Sequence, residues 1–185
     1  MSDNKPLNIA LIIGSLRKES INRAFAEYMV SQMPEHVTVT ECQIDDLPLY
    51  NEDIDTDTAP ESYTRIRNQV GEADALLIVS PEYNRSIPGG LKNAMDILSR
   101  PKDGSVLNNI KVAFVTASPG TYGGRSCGFD LRKIMLPFAA QVLLAPEVYL
   151  SHATDALGED NKVSSERTQQ YLQKFVDAFV EFVED

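Results

Sequence analysis

The sequence predicts an α/β fold: a five-stranded parallel sheet in the strand order 2-1-3-4-5, with helices on both faces. Short apolar runs alternate with segments whose apolar residues recur at helical spacing. This alternation indicates βα units and a parallel sheet that helices cover. Right-handed crossovers favour the order 2-1-3-4-5. The length of 185 residues fits one domain, residues 1–185, and is short of two comfortable ones.

The strands are predicted from short runs that are apolar or rich in β-branched residues. The first run, residues 7–13, is apolar except at Asn8 and ends at Gly14, as expected of a strand buried on both faces. The second run alternates in part between apolar and polar residues, and the third and fourth are again mostly apolar. The predicted strands are residues 7–13, 37–44, 75–79 and 110–115, and a last strand within 141–150.

The helices are predicted from apolar stripes and from their end signals. Apolar residues recur at helical spacing from Ile21 to Met29, until Pro34 ends the pattern. A long acidic connection, residues 45–60, precedes a polar second helix that reaches about Val70. The later helices are predicted along residues 91–98, around 125–138 and across a stripe at 172–183, with Ser164 as the cap of the closing helix.

Composition narrows the possible functions. The formal net charge is −10 and the pI is near 4.7, so the surface repels nucleic acid. No run is long enough for a signal or a membrane span, and we expect a cytoplasmic protein without membrane contact. Cys42 and Cys127 form no C-x-x-C pair, and His36 and His152 show no ligand spacing. These patterns argue against disulfides and against a metal site.

In such sheets a ligand binds beyond the carboxyl ends of the strands, where strands 1 and 3 diverge. The loop after strand 1 matches neither of the common glycine-rich nucleotide loops. It nevertheless places Ser15, Arg17, Ser20 and Asn22 at a helix N-terminus. Hydrogen-bond donors, the helix dipole and the arginine fork together suit a phosphate group. The alternative is an ordinary βα turn with a capping residue and a solvated arginine.

The loops after strands 3 and 4 meet the same edge of the predicted sheet. Prolines restrain the loop at 80–88, which carries Glu82, Tyr83 and Asn84 to the ligand side and suits a flat heteroaromatic group. The alternative is a surface turn whose tyrosine covers the end of the sheet. The loop at 118–124 holds three glycines that allow a ligand to approach the backbone closely, or it is simply a flexible connection.

Several motifs coincide on these loops and near them. They are GSLR at 14–17 with Ser20 and Asn22-Arg23, DLPLYN at 46–51, PEYN at 81–84, SIPG at 86–89, LKN at 91–93 and GGR at 123–125. With these motifs the chain resembles the NADPH-dependent FMN reductase family, which includes chromate, quinone and azobenzene reductases. The resemblance extends over about residues 7–150.

The resemblance implies a flavodoxin-like domain that binds FMN noncovalently. The FMN-binding residues it implies are Ser15, Arg17, Ser20, Ile21 and Asn22 on the first loop, Pro81, Glu82, Tyr83 and Asn84 on the second, and Ser118, Gly120 and Gly123 on the third. The first set would hold the phosphate, the second would line the isoalloxazine, and the third would touch its pyrimidine end. Because the flavin carries the hydride chemistry, no catalytic side chain is expected.

The resemblance further implies that hydride passes from NAD(P)H through FMN to a quinone, azo compound, chromate or similar acceptor, by a ping-pong mechanism. The alternatives are a flavodoxin-like electron carrier without an NAD(P)H site, an interaction protein without cofactor, and a reductase that exports reduced FMN to a monooxygenase partner. Arg85, beside the expected flavin, either influences the choice of acceptor or points into solvent.

A homodimer or homotetramer is expected from the segment at 46–57, which is long for a βα connection. Its Leu47, Leu49 and Tyr50 are more apolar than an exposed loop requires. They either meet a second subunit or fold back onto their own sheet.

Overall fold

The computed structural model describes residues 5–101 and 104–185. The polar start of the predicted domain, residues 1–4, lies outside the described part. The strands are β1 (Leu7–Ile13), β2 (Val37–Glu41), β3 (Ala75–Ser80), β4 (Lys111–Ala117), β5 (Gln141–Val142) and β6 (Val148–Leu150). They pair in parallel in the order β2-β1-β3-β4-β5, which confirms the predicted fold class.

Helices cover both faces of the sheet and create two hydrophobic cores. The helices are α1 (Ile21–Ser31), α2 (Glu61–Gly71), α3 (Gly89–Leu98), α4 (Arg125–Met135) and α5 (Glu166–Glu184). One core joins α1 and α5 to the sheet through side chains such as Phe25 and Phe175. The other joins α2, α3 and α4 through side chains such as Tyr63, Leu91 and Leu131. Since both faces are covered, the inner strands are almost wholly apolar.

The last strand and the last helix differ in detail from the sequence prediction. The strand predicted within 141–150 is split: β5 and β6 both pair with β4, and the intervening residues, which include Pro146, leave the ladder. Ser164 was expected to cap α5, and this prediction is wrong. The cap is Ser165, whose side chain accepts a hydrogen bond from the Thr168 N–H at 3.4 Å, while the Ser164 N–H binds the Ala156 carbonyl at 2.9 Å.

The register brings the ends of the inner strands to a common edge. Ile13 of β1 lies beside Val79 of β3, and Ser80 lies beside Thr116 of β4. Gly14 leaves this edge where a Cβ atom would lie 2.4 Å from the Ser80 hydroxyl oxygen, so no larger residue fits. Across the described ranges, no helix is long and apolar enough to span a bilayer.

Candidate functional site

A cavity of about 230 Å³ lies at the carboxyl edge, between the loops that follow β1, β3 and β4. Nine of the twelve predicted cofactor residues line it: Ser15, Arg17, Ser20, Ile21, Asn22, Pro81, Glu82, Tyr83 and Ser118. Its other lining residues are Ala117, Pro119 and Thr154. The volume is below that of pockets that enclose a drug-sized ligand, so a cofactor bound here would keep part of its surface open.

The loop after β1 presents hydrogen-bond donors and one cation to this cavity. Ser20 caps α1, because its side-chain oxygen accepts a hydrogen bond from the Arg23 N–H at 3.3 Å. The Ser20 hydroxyl hydrogen therefore stays free to be donated to a ligand. Helix geometry also leaves the N–H groups of Ile21 and Asn22 without an acceptor inside the helix. Arg17 is exposed and forms no ion pair with any described residue.

Asn22 contains a buried acceptor that no described residue satisfies. The side chain is 2% exposed, and its Nδ2 donates to the Ala117 carbonyl at 3.2 Å. This bond fixes the orientation of the amide, and the buried Oδ1 has no hydrogen-bond partner. Buried polar atoms are nearly always paired, so a ligand or an ordered water has to donate a hydrogen bond to Oδ1. A hydroxyl of a ribityl chain can supply that donor, whereas a phosphate dianion cannot.

The loop after β3 is rigid because it folds into a tight turn. Tyr83 and Ser86 exchange two backbone hydrogen bonds of 3.0 Å each. The two residues between them, Asn84 and Arg85, have φ values of 51° and 66°, as a type I′ turn requires. Tyr83 reaches the cavity wall and is 48% exposed. Asn84, predicted to touch the cofactor, does not line the cavity.

Two side chains fasten this loop to α4. The Glu82 carboxylate accepts hydrogen bonds from the N–H groups of Ser126 (2.9 Å) and Cys127 (3.3 Å). It thereby caps a helix that begins after a glycine and has no cap of its own. The Ser86 hydroxyl donates to Asp130 at 2.6 Å. Lys133 and then Ser86 lower the pKa of the Asp130 carboxyl below its usual value, which keeps this acceptor ionised.

The hydroxyl side chains of Thr116 and Ser118 hold the loop after β4, and two of its predicted cofactor residues, Gly120 and Gly123, do not line the cavity. The carbonyl of Gly123 accepts from the Thr116 hydroxyl at 2.7 Å. With φ at 60°, a Cβ atom on Gly123 would lie 2.8 Å from the Tyr149 backbone. Close packing against β6 therefore explains this glycine. The Gly120 N–H donates to the Ser118 side chain at 3.1 Å.

Thr154 lines the cavity, although the sequence did not predict it as a site residue. It belongs to a 3₁₀ turn, Ala153–Ala156, far along the chain from the predicted loops. Backbone hydrogen bonds from His152 to Gly120 (3.1 Å) and from Ala153 to Ser118 (3.0 Å) attach this turn to the loop after β4. No local motif marks Thr154, because its position depends on these long-range bonds.

The segment at 46–57 is ordered by side chains from α2 and α3. Asn93 accepts a hydrogen bond from the Tyr50 N–H at 2.8 Å and donates to the Pro48 carbonyl at 2.9 Å. The Tyr63 hydroxyl donates to the Leu49 carbonyl at 3.0 Å. Leu47 and Tyr50 pack partly against their own core, whereas Leu49 is 82% exposed. Of the three apolar residues expected at an interface, Leu49 alone is left projecting from this segment.

Other features of the molecule do not add chemistry to the site. A larger open cavity of about 680 Å³ lies beside the start of α5, and none of the predicted site residues lines it. Burial raises the pKa of both the Cys42 and Cys127 thiols to about 11. Such thiols are unreactive at neutral pH. The part of the chain that the structure describes contains no group of side chains suited to hold a metal ion.

Comparisons with known proteins return flavoenzymes and quinone reductases. The family described as NADPH-dependent FMN reductase matches residues 7–155. A quinone reductase of Pseudomonas putida is 40% identical over 176 residues, which is 95% of this chain and 94% of the relative. A 2-hydroxy-1,4-benzoquinone reductase of a Burkholderia species is 37% identical over 179 residues, 97% of each. Among solved structures, FerB, a flavoenzyme NAD(P)H:(acceptor) oxidoreductase from Paracoccus denitrificans, has a TM-score of 0.89 at 35% identity. It covers 96% of this chain and 97% of its own.

Proposed function

This chain belongs to the NADPH-dependent FMN reductase family, and we propose that it uses noncovalently bound FMN to pass hydride from NAD(P)H to quinones. The resemblance read from the sequence is confirmed, and the chain is an oxidoreductase. The observation that carries the proposal is the buried, unpaired Oδ1 of Asn22 in a cavity built from three predicted loops. The ribityl chain of FMN supplies hydroxyl donors of the kind that this acceptor requires.

The residues at the start of α1 would hold the FMN phosphate. Arg17 contributes a full positive charge, and the hydroxyls of Ser15 and Ser20 donate hydrogen bonds. The N–H groups at the helix terminus and the helix dipole favour the same anion. Asn22, the second residue of the helix, would bind the ribityl chain instead. In a protein of net charge −10, this local positive potential is what would retain a dianion.

The loops after β3 and β4 would hold the isoalloxazine ring. Pro81 and Tyr83 line the cavity from the loop after β3, and Ser118 lines it from the loop after β4. FMN, when bound, supplies the hydride chemistry itself, so the chain's task is to orient the ring and to keep one face accessible. The Glu82 carboxylate is occupied by the start of α4. It therefore acts as a support for this wall, and we assign no general acid or base.

Substrates would use the accessible face in turn. A single open face does not accommodate the nicotinamide and an acceptor together, so the oxidised dinucleotide would leave before the acceptor enters. The names of the relatives support quinones as acceptors. Because the motifs resemble those of a family that includes azobenzene and chromate reductases, we extend the proposed acceptors to azo compounds and chromate.

We further propose a single cytoplasmic domain that forms a homodimer or homotetramer. The ordered segment at 46–57 supports an interface, because it presents Leu49 to solvent from a backbone fixed by Asn93 and Tyr63. Burial of such a side chain against a second copy is favourable. The two buried, unpaired cysteines suit a reducing compartment.

The absorbance spectrum of the purified protein, recorded without oxygen before and after addition of NADPH, tests the function. A yellow protein whose flavin band bleaches within the mixing time would be the reductase that we propose. A flavin band that persists would indicate an electron carrier without an NAD(P)H site. A colourless protein that takes up no added FMN would indicate an interaction protein on this fold.

A further inference from the structure

Arg85 has a backbone conformation that its residue type disfavours. It is the second central residue of the turn between Tyr83 and Ser86, with φ at 66°. Glycine adopts this region freely, but an arginine there carries steric strain. Strained residues of this kind cluster at functional sites. The turn itself does not require a long cationic side chain at this position. The role of Arg85 must therefore lie in the contacts that its side chain makes.

The charge of Arg85 is positioned but not neutralised. Its guanidinium carbon lies 5.1 Å from the centre of the Tyr122 ring, a cation–π contact. No carboxylate of the described residues forms an ion pair with it, although the protein carries 27 acidic residues. The tyrosine covers one face of the guanidinium and leaves the N–H groups at its edge available. The edge of a guanidinium group binds phosphate or carboxylate through two parallel hydrogen bonds.

Arg85 and Tyr122 belong to two of the loops that line the FMN cavity, although neither residue lines it itself. Arg85 is two residues beyond Tyr83, which lines the cavity, and Tyr122 is three residues beyond Pro119, which also lines it. Their contact therefore joins the loop after β3 to the loop after β4. A small acceptor that stacks on the open face of the flavin would not need this charge. A substrate that extends outward from the reacting ring would meet it.

We propose that Arg85, held by Tyr122, binds the pyrophosphate of NAD(P)H while the nicotinamide stacks on the open face of the flavin. NAD(P)H is the substrate that always carries phosphates at a distance from its reacting ring, and quinones need not carry any charge. Arg85 is then a specificity-determining residue for the donor half of the reaction. This inference rests on the function proposed above and adds the chemical group that the enzyme recognises.

The test is anaerobic rapid mixing of FMN-loaded protein with electron donors, followed as bleaching of the flavin band. Arg85→Gly suits the positive φ, and Arg85→Gln keeps the length of the side chain. Both should raise the apparent Kd for NADH and NADPH about ten- to a hundredfold, the effect of losing a charge-assisted contact. Bleaching by N-benzyl-1,4-dihydronicotinamide, which has no phosphate, should stay at the wild-type rate. Reoxidation by 1,4-benzoquinone should also be unchanged.

Arg125→Gln is the matched control. Arg125 is likewise exposed and stacked on a tyrosine, Tyr149, at 5.5 Å, but Arg125 and Tyr149 both line a different cavity. It should leave the apparent Kd for NADH unchanged. Equal loss in the Arg125 and Arg85 variants would show a general effect of charge and overturn the inference.

Three further outcomes would overturn the inference. The first is a wild-type Kd for NADH in both Arg85 variants. The second is an equal loss with the phosphate-free donor, which would reveal a distorted loop. The third is a selective loss in reoxidation by an anionic quinone, which would assign Arg85 to the acceptor. If the wild-type protein itself holds FMN but is not bleached by any nicotinamide donor, the proposed function fails instead.

Discussion

Replacement of Arg17 by alanine should weaken the binding of FMN and leave the binding of riboflavin unchanged. Arg17 lines the cavity and forms no ion pair with a described residue. Its removal therefore leaves no described carboxylate without its ion-pair partner. The expected cost is that of a charge-assisted hydrogen bond, about 1.5–3 kcal/mol. Because the side chain is exposed, solvent screening favours the lower end, or about tenfold in Kd. Riboflavin lacks the phosphate and should not sense the change.

The assay is a fluorescence titration of the apoprotein with FMN and, separately, with riboflavin. Lys18→Ala is the matched control, because Lys18 is an exposed cation of the same loop that does not line this cavity. It should change neither Kd. Asn22→Ala, which removes the unpaired Oδ1, should weaken both ligands, since both carry the ribityl chain. The two substitutions therefore separate the phosphate subsite from the ribityl subsite.

The reasoning would be refuted in either of two ways. An unchanged Kd for FMN in Arg17→Ala would show that the phosphate does not lie at the start of α1. An equal loss of FMN in Lys18→Ala would show that only the general potential of the loop matters. A loss of riboflavin binding in Arg17→Ala would also contradict the assignment, because the affected group would then not be the phosphate.

Four other predictions follow from the same structure. Steady-state kinetics should give parallel double-reciprocal lines, and intersecting lines with a ternary complex would rule out alternating use of one face. Leu49→Asp should shift the protein to monomers in equilibrium sedimentation at micromolar concentration without lowering its melting temperature, and a wild-type sedimentation profile would place the interface elsewhere. Glu82→Ala should lower the free energy of unfolding by about 1 kcal/mol and Tm by about 2–4 °C, because α4 loses its cap, and an unchanged Tm would show that the cap contributes nothing. Iodoacetamide at pH 8 should label Cys42 and Cys127 only after unfolding, because thiols of pKa about 11 are almost wholly protonated there; rapid labelling of the native protein would contradict this.

The strand order and most of the residues that line the cavity were predictable because they depend on local signals. Apolar runs fix the strands, and the topology then brings the ends of β1, β3 and β4 to one edge, where Ser15, Pro81 and Ser118 meet. Two features that the sequence did not predict depend on long-range contacts. Thr154 reaches the cavity through backbone bonds to the loop after β4. Gly123 is required by the approach of β6, which its own neighbourhood in the sequence does not reveal.

The cap of α5 shows a similar limit at a smaller scale. Ser164 and Ser165 are equally good caps by residue type. They differ in their side chains, because the Ser164 hydroxyl donates to the Ala156 carbonyl at 3.5 Å, whereas the Ser165 hydroxyl oxygen accepts from the Thr168 N–H. The sequence also did not predict which apolar side chains of the segment at 46–57 are exposed. Leu47 and Tyr50 are partly buried and Leu49 projects into solvent, because Asn93 fixes the backbone of the segment.

An anaerobic redox titration of the FMN-loaded protein tests the central claim most directly. Hydride transfer from NADPH delivers two electrons, so one equivalent of NADPH per bound FMN should bleach the flavin band completely. One equivalent of 1,4-benzoquinone, which takes up two electrons and two protons, should then restore it. Bound flavin that stays oxidised with both NADPH and NADH would contradict the account, and so would reduced flavin that the quinone fails to reoxidise.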